Sequence, residues 1–230
     1  MRTRTNRKSA PGKIKSVVRW HRENGTPAET FDHTGDWQVT EGAIVGGQKP
    51  AGCRLTAYLI TEKQFGDVEV EYEIRPDWRT DTGIMLRQHL SGPLGFQTLC
   101  DHRPGGGIGG VFTNGLGSYL ATPFVVDDDE NFHVKNFREG KSDSRFTQGA
   151  VTEASTFDAF RDAWNLNDSN RFRCIGTEPT ITIWINDLKI GTVDTGNPGL
   201  PDYDASQIQR LVGTEGHLGL EVHSNDFGNG

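Results

Sequence analysis

The run Val68-Glu69-Val70-Glu71-Tyr72-Glu73-Ile74-Arg75 alternates without a break. Val68, Val70, Tyr72 and Ile74 fall on one side, and Glu69, Glu71, Glu73 and Arg75 on the other. A period of two places alternate side chains on opposite faces of an extended chain, so this segment is predicted to be a strand buried on one side only. Other short runs share that character. Gly83-Ile84-Met85-Leu86-Arg87 would turn Ile84 and Leu86 to the core and leave Met85 and Arg87 on the opposite surface. Phe172–Ile175 and Thr180–Ile185 read as a hairpin across Gly176–Pro179, and Asn186-Asp187 turns the chain into Leu188–Val193. Gly216–His223 is the last strand candidate. Helical periodicity is confined to Thr156–Trp164, long enough for two turns. Many short strands between turn clusters predict an all-β protein, an antiparallel sandwich or barrel. The Gly-, Asp- and Ser-rich stretch 101–155 reads as long loops over one end or face.

Charge narrows the partners. Residues 1–22 carry eight basic side chains and no acid, while the rest hold 16 basic and 31 acidic ones, a balance of −15. Such a body repels a phosphate backbone, so no nucleic-acid partner is expected. Residues 1–16 read as a basic flexible tail and 17–230 as a single domain. No apolar run is long enough to span a membrane, and the basic leader lacks the apolar core of a secretory signal. Cys53, Cys100 and Cys174 have no paired spacing, which suits reduced thiols in a cytoplasm. Gly105–Gly110 contains a GxGxxG spacing, but it runs into another turn rather than a helix, so a dinucleotide site is not expected.

Five segments, in order, resemble the 3-keto-disaccharide hydrolase domain family. Phe65–Arg75 is similar to its "(Y/F)GDFELRLEFR" strand, and Trp37–Gly46 to "W-x-V-x-D-G-x-(I/L)-x-G". Asp81–Arg87 resembles "NSGIFLR", Trp184–Asp187 resembles "hWLNG", and Gly216–His223 resembles "GxIGLQxH". The resemblance covers roughly residues 31–225. It implies a concanavalin-like jelly roll of two antiparallel sheets, and cleavage of sugars whose C3 hydroxyl is oxidised to a ketone. The family's closing strand after the terminal His has no counterpart here. One sheet edge is therefore expected to be open, or covered by residues 10–22 or by a second subunit in a homo-oligomer.

A C3 ketone acidifies the hydrogen on C2. A base removes it, and the enolate expels the glycosidic oxygen from C1. The reaction needs a base, a cation or donors at the enolate oxygen, and an acid for the leaving group. The candidates for catalysis are His223, Glu221, Arg87 and Asp101, and for substrate binding Gln97, His102, Trp184 and Glu73. His223 is the first choice for acid or base, because imidazole titrates near neutrality. Arg87 suits the enolate, or else an ion pair with Glu71 or Glu73. Trp184 could stack on a sugar or fill the core. Asp101 and His102 could bind hydroxyls or simply form a turn. No cofactor is certain, and a divalent metal held by Asp101, His102, Glu221 and His223 stays open. The alternative function is a lectin-like binding module without catalysis. A conventional glucanase would need a closely spaced acid pair on one strand, which is absent.

Overall fold

The computed structural model describes residues 14–18, 35–50, 56–75, 80–90, 94–103, 105–116, 118–128, 134–140, 149 and 151–223. The basic residues before Ile14, Cys53 and Asp129-Glu130 lie outside them. The strands are β1 (Ile14–Val18), β2 (Gly35–Thr40), β3 (Ala43–Gln48), β4 (Ala57–Phe65), β5 (Val68–Ile74), β6 (Asp81–Gln88), β7 (Gly95–Asp101) and β8 (Gly107–Asn114). They continue as β9 (Ser118–Ala121), β10 (Phe124–Asp128), β11 (Val134–Glu139), β12 (Val151–Thr152), β13 (Asn170–Thr177), β14 (Thr180–Ile185), β15 (Leu188–Asp194) and β16 (Gly216–Val222). Among the described residues two helices, α1 (Phe157–Ala163) and α2 (Ala205–Val212), interrupt them.

The larger sheet runs β1-β4-β16-β6-β7-β8-β10-β11, with β9 also paired to β8. The smaller runs β12-β15-β14-β13-β5, and β2-β3 is a separate hairpin. All pairings among the described residues are antiparallel. The architecture is a jelly-roll sandwich, the fold class that the sequence predicts.

The core is built by the alternation. Val68, Val70 and Tyr72 of β5 meet Phe172 and Cys174 of β13, and Ile84 and Leu86 of β6 approach them from the larger sheet. Tyr72 stacks on Phe172 at 5.4 Å, and its hydroxyl reaches Thr98 of the opposite sheet at 3.4 Å. Cys100 and Cys174 are buried free thiols, and burial raises both pKa values, that of Cys174 to about 12. Asn186 and Asp187, both with positive φ (48° and 69°), make the tight turn between β14 and β15. α1 starts at Thr156, whose hydroxyl accepts from the Ala159 N–H, and it inserts Phe160 against Phe124 at 3.9 Å.

Two expectations change. The stretch 101–155 contains β8 to β12 rather than only long loops. Glycine weakens the strand signal there, yet Ile108, Val111, Leu120, Phe124 and Val126 supply buried contacts that override it. The edge of β4 is covered by Ile14–Val18, within the 10–22 segment expected to reach it; β1 crosses the boundary drawn after residue 16.

Phe172 is fully buried, whereas Glu73 is exposed on the outer face of the smaller sheet. Phe172→Ala is expected to cost about 3–5 kcal/mol and Glu73→Ala less than about 0.5, measured by urea unfolding with an unchanged slope.

Candidate active site

The polar chemistry gathers on the face of the larger sheet that points away from the core. Asp81 of β6 and Asp101 of β7 are direct cross-strand partners, and both are buried. Arg103, just past β7, bridges them. Its Nη2 donates to Asp81 Oδ2 at 2.7 Å and to Asp101 Oδ2 at 2.8 Å, and its Nε donates to Asp101 Oδ1 at 2.8 Å. Asp101 Oδ1 also accepts the Arg103 backbone N–H at 2.9 Å, which folds the turn that brings the guanidinium back over the strand. Gly106 makes room for this turn, because a Cβ there would lie 2.6 Å from Asp101 Oδ1.

His223 completes this end of the cluster. Arg103 Nη1 lies 3.2 Å from His223 Nδ1. A guanidinium can only donate, so Nδ1 is the acceptor and the ring proton sits on Nε2. Nε2 faces Asp81 Oδ2 at 3.7 Å. The His223 backbone is braced by Gln48, whose amide donates to its carbonyl at 2.8 Å. The Arg103 and His223 side chains remain 24% and 20% exposed, while those of Asp81 and Asp101 are at most 8%. The cation and the imidazole are thus the accessible members, and the carboxylates stand behind them.

A hydrogen-bonded line continues from Asp81 along the sheet. Gln97 Nε2 donates to Asp81 Oδ1 at 3.1 Å. Gly83 lies between them in the sheet and leaves space for the Gln97 side chain to lean over β6. Asn114 Nδ2 donates to Gln97 Oε1 at 3.4 Å and to the Tyr58 hydroxyl at 3.3 Å. Tyr58 in turn donates to Glu221 Oε1 at 3.1 Å. Burial first, and then the Glu221 carboxylate, hold the Tyr58 phenol well above its usual pKa, so it stays protonated. Tyr58, Ile60 and Met85 form a small apolar cluster on the same face.

Of the residues singled out from the sequence, His223, Glu221, Asp101 and Gln97 belong to this network. Four do not. Arg87 lies near the far end of β6, about 20 Å along the strand from Asp81. Its φ of 53° breaks the alternation, and it lines a small cavity with Val68, Phe96, Gly176 and Ile181, between the sheets. His102 faces inward, its ring 5.7 Å from Trp164. Trp184 lies on the outer face of the smaller sheet, half-buried beneath Arg173 at 4.8 Å and Lys189 at 5.9 Å. It is neither in the core nor near His223's network. Glu73 shares that outer face, opposite Arg171. With His102 turned inward, the metal set of Asp101, His102, Glu221 and His223 does not assemble. Among the described residues, no group of three or more His, Cys, Asp or Glu side chains is placed to hold a metal ion.

Arg103, Asp81, Tyr58 and Asn114 were not picked out. Asp81 has the parity of Met85, Tyr58 that of Ile60, and Asn114 that of Phe112, so strand alternation could have grouped three of them. Arg103 follows the strand in a turn, where only its spacing from Asp101 offers a signal.

The outward face of the larger sheet of this β-sandwich thus gathers two acids, an imidazole and a guanidinium. Residues 15–228 match the model of the 3-keto-alpha-glucoside-1,2-lyase-like domain, and the chain belongs to that family. No curated protein matches it. Among solved structures, it is similar to the carbohydrate binding module CBM66 from Bacillus subtilis at 13% identity, covering 83% of this chain and 84% of that one, TM-score 0.43. Two structures named "putative glycosyl hydrolase" from Parabacteroides distasonis ATCC 8503 are also similar, each at 13% identity. Coverage is 80% of this chain and 81% of that chain for one, with a TM-score of 0.46. For the other it is 83% and 78%, with a TM-score of 0.45. No helix among the described residues is long and apolar enough to cross a membrane.

Burial lowers the His102 pKa from 6.5 to about 4. Between those values the unfolded chain binds a proton that the folded chain refuses. Stability is therefore expected to fall by about 3 kcal/mol as pH drops through that window, and to be indifferent to this group above it. Denaturant unfolding from pH 7 to pH 4 checks this, and His102→Leu should flatten the slope.

Proposed function

We propose that the protein cleaves 3-keto-glycosides by removing the C2 proton and eliminating the C1 oxygen. The observation that carries this reading is the pairing of Arg103 Nη1 with His223 Nδ1 at 3.2 Å. A proton-accepting atom and a fixed cationic donor stand side by side. An α-hydrogen and its carbonyl oxygen are also near neighbours, on adjoining carbons. The bound ketone would draw the Arg103 N–H to itself and free the Nδ1 lone pair for the C2 hydrogen.

His223 then takes the C2 proton, and the electrons of that C–H bond form the enolate, whose oxygen Arg103 stabilises. Asp81, facing Nε2–H, orients the imidazole and favours the imidazolium that forms. When the ketone reforms, the electrons make a C1=C2 bond and the C1–O bond breaks. Glu221, on β16, lies two residues before His223, about 7 Å away along the chain direction. That separation leaves room for the glycosidic oxygen between them. The His223 imidazolium would pass its proton to the departing oxygen, and Glu221 would accept a hydrogen bond from the alcohol that forms. Water adding across C1=C2 gives net hydrolysis, and its omission gives the lyase product. Such a route has no need of two carboxylates acting directly on the acetal.

The purified protein should cleave a 3-keto-glucoside and leave the parent glucoside intact. His223→Ala and Arg103→Ala should each lower kcat by roughly 10²-fold or more. Equal cleavage of both sugars would indicate an ordinary glycosidase. Binding of the 3-keto-glucoside without turnover would indicate a carbohydrate-binding module instead.

A further inference from the structure

Beside the polar line, the outward face of the larger sheet carries an aromatic pair. Phe112 of β8 and Tyr119 of β9 are cross-strand partners, with ring centroids 4.8 Å apart and planes at 52°. Phe112 is also the cross-strand partner of Gln97, so it has the same facing as the network. Asn114, two residues further along β8, shares that facing and supplies the donor to Tyr58 and Gln97. Phe112, Asn114 and Tyr119 are all partly exposed, unlike the buried Gln97 and Tyr58. Apolar residues on the core-facing side, such as Ile108, Val111 and Leu120, are fully buried. The two rings are therefore not consumed by the sandwich core.

Resting on the reaction proposed above, we infer that Phe112 and Tyr119 form a stacking subsite for the part of the substrate beyond the reacting ring, a second pyranose unit. A pyranose presents a face of C–H groups that packs on an aromatic ring, and a rim of hydroxyls that needs donors and acceptors. The aromatic pair supplies the first requirement, and the half-exposed Asn114 beside it offers its Oδ1 as an acceptor for the second. The position fits a chain of linked rings. Gln97 connects this subsite to Asp81, and Phe112, opposite Gln97, stands one strand over and four residues, about 13 Å, along β7 from Asp101, so the platform lies beyond the reacting ring rather than beneath it. Trp184, the aromatic residue suggested by the sequence for this task, is on the other side of the sandwich.

The test compares two substrates, the 3-keto forms of a methyl glucoside and of maltose, on the wild type, Phe112→Leu and Tyr119→Leu. Leucine keeps an apolar side chain in the sheet but removes the flat face. In each variant, the ratio of kcat/KM for the disaccharide over the methyl glucoside is expected to fall roughly tenfold, the upper range for an aromatic contact. Equal losses on both substrates would mean that the rings only support the sheet, and no loss on either would mean that they do not touch the sugar. Either result overturns the subsite. Wild-type protein that turns over neither substrate would instead refute the reaction. The subsite is then judged by calorimetric binding of unoxidised maltose and methyl glucoside to the same proteins, with the same selective loss expected and an equal loss or none overturning it.

Discussion

Two aspartates facing each other across neighbouring strands set the terms for the rest of the site. Asp81 and Asp101 are in register on β6 and β7, and both are almost wholly shielded from water. Like charges placed directly opposite destabilise a sheet, and buried carboxylates need partners. The Arg103 guanidinium meets both needs with three side-chain hydrogen bonds of 2.7–2.8 Å. A planar fork can hold two carboxylates at once and still present Nη1 outward. The remaining N–H direction reaches His223, so the ion cluster that stabilises the sheet also fixes the geometry of a cation beside a base.

Strand alternation made half of this legible. The period of two in 68–75 marks a half-buried strand, and the shared parity of Glu221 on β16 and His223 just past it puts them on one face. Parity fixes which side chains share a face of one strand. It does not say which sheet a strand joins. β5 and β6 are consecutive in the chain, yet β5 belongs to the smaller sheet and β6 to the larger. Their outward faces lie on opposite sides of the sandwich, so Glu73 and Trp184 are carried away from His223. Arg87 fails for a different reason. Its positive φ interrupts the alternation from which its facing was read. The cation beside His223 is instead Arg103, whose position depends on a turn made by the Asp101 carboxylate, and a turn of that kind leaves no periodic trace.

The same geometry bears on the choice between catalysis and simple sugar binding. A binding surface needs aromatic faces and hydrogen-bonding groups, both of which the outward face supplies through Phe112, Tyr119 and Asn114. It has no requirement for an imidazole set between a buried carboxylate and a clamped guanidinium. Ordering these groups costs conformational freedom, and burying the aspartates costs hydration. The proposed proton removal next to a ketone would give that arrangement a use.

Solvent deuterium at C2 tests this account most directly. A 3-keto-glucoside is incubated with the protein in D2O, and the released 3-keto-sugar is examined by NMR before the free ketone exchanges on its own, with an enzyme-free sample of that sugar as the reference. Elimination followed by hydration requires C2 to lose its hydrogen and take one from solvent, so the product should carry deuterium at C2 above the reference. A product that retains its original C2 hydrogen would mean that the glycosidic bond breaks without proton removal by His223, and would contradict the role given to the Arg103–His223 pair.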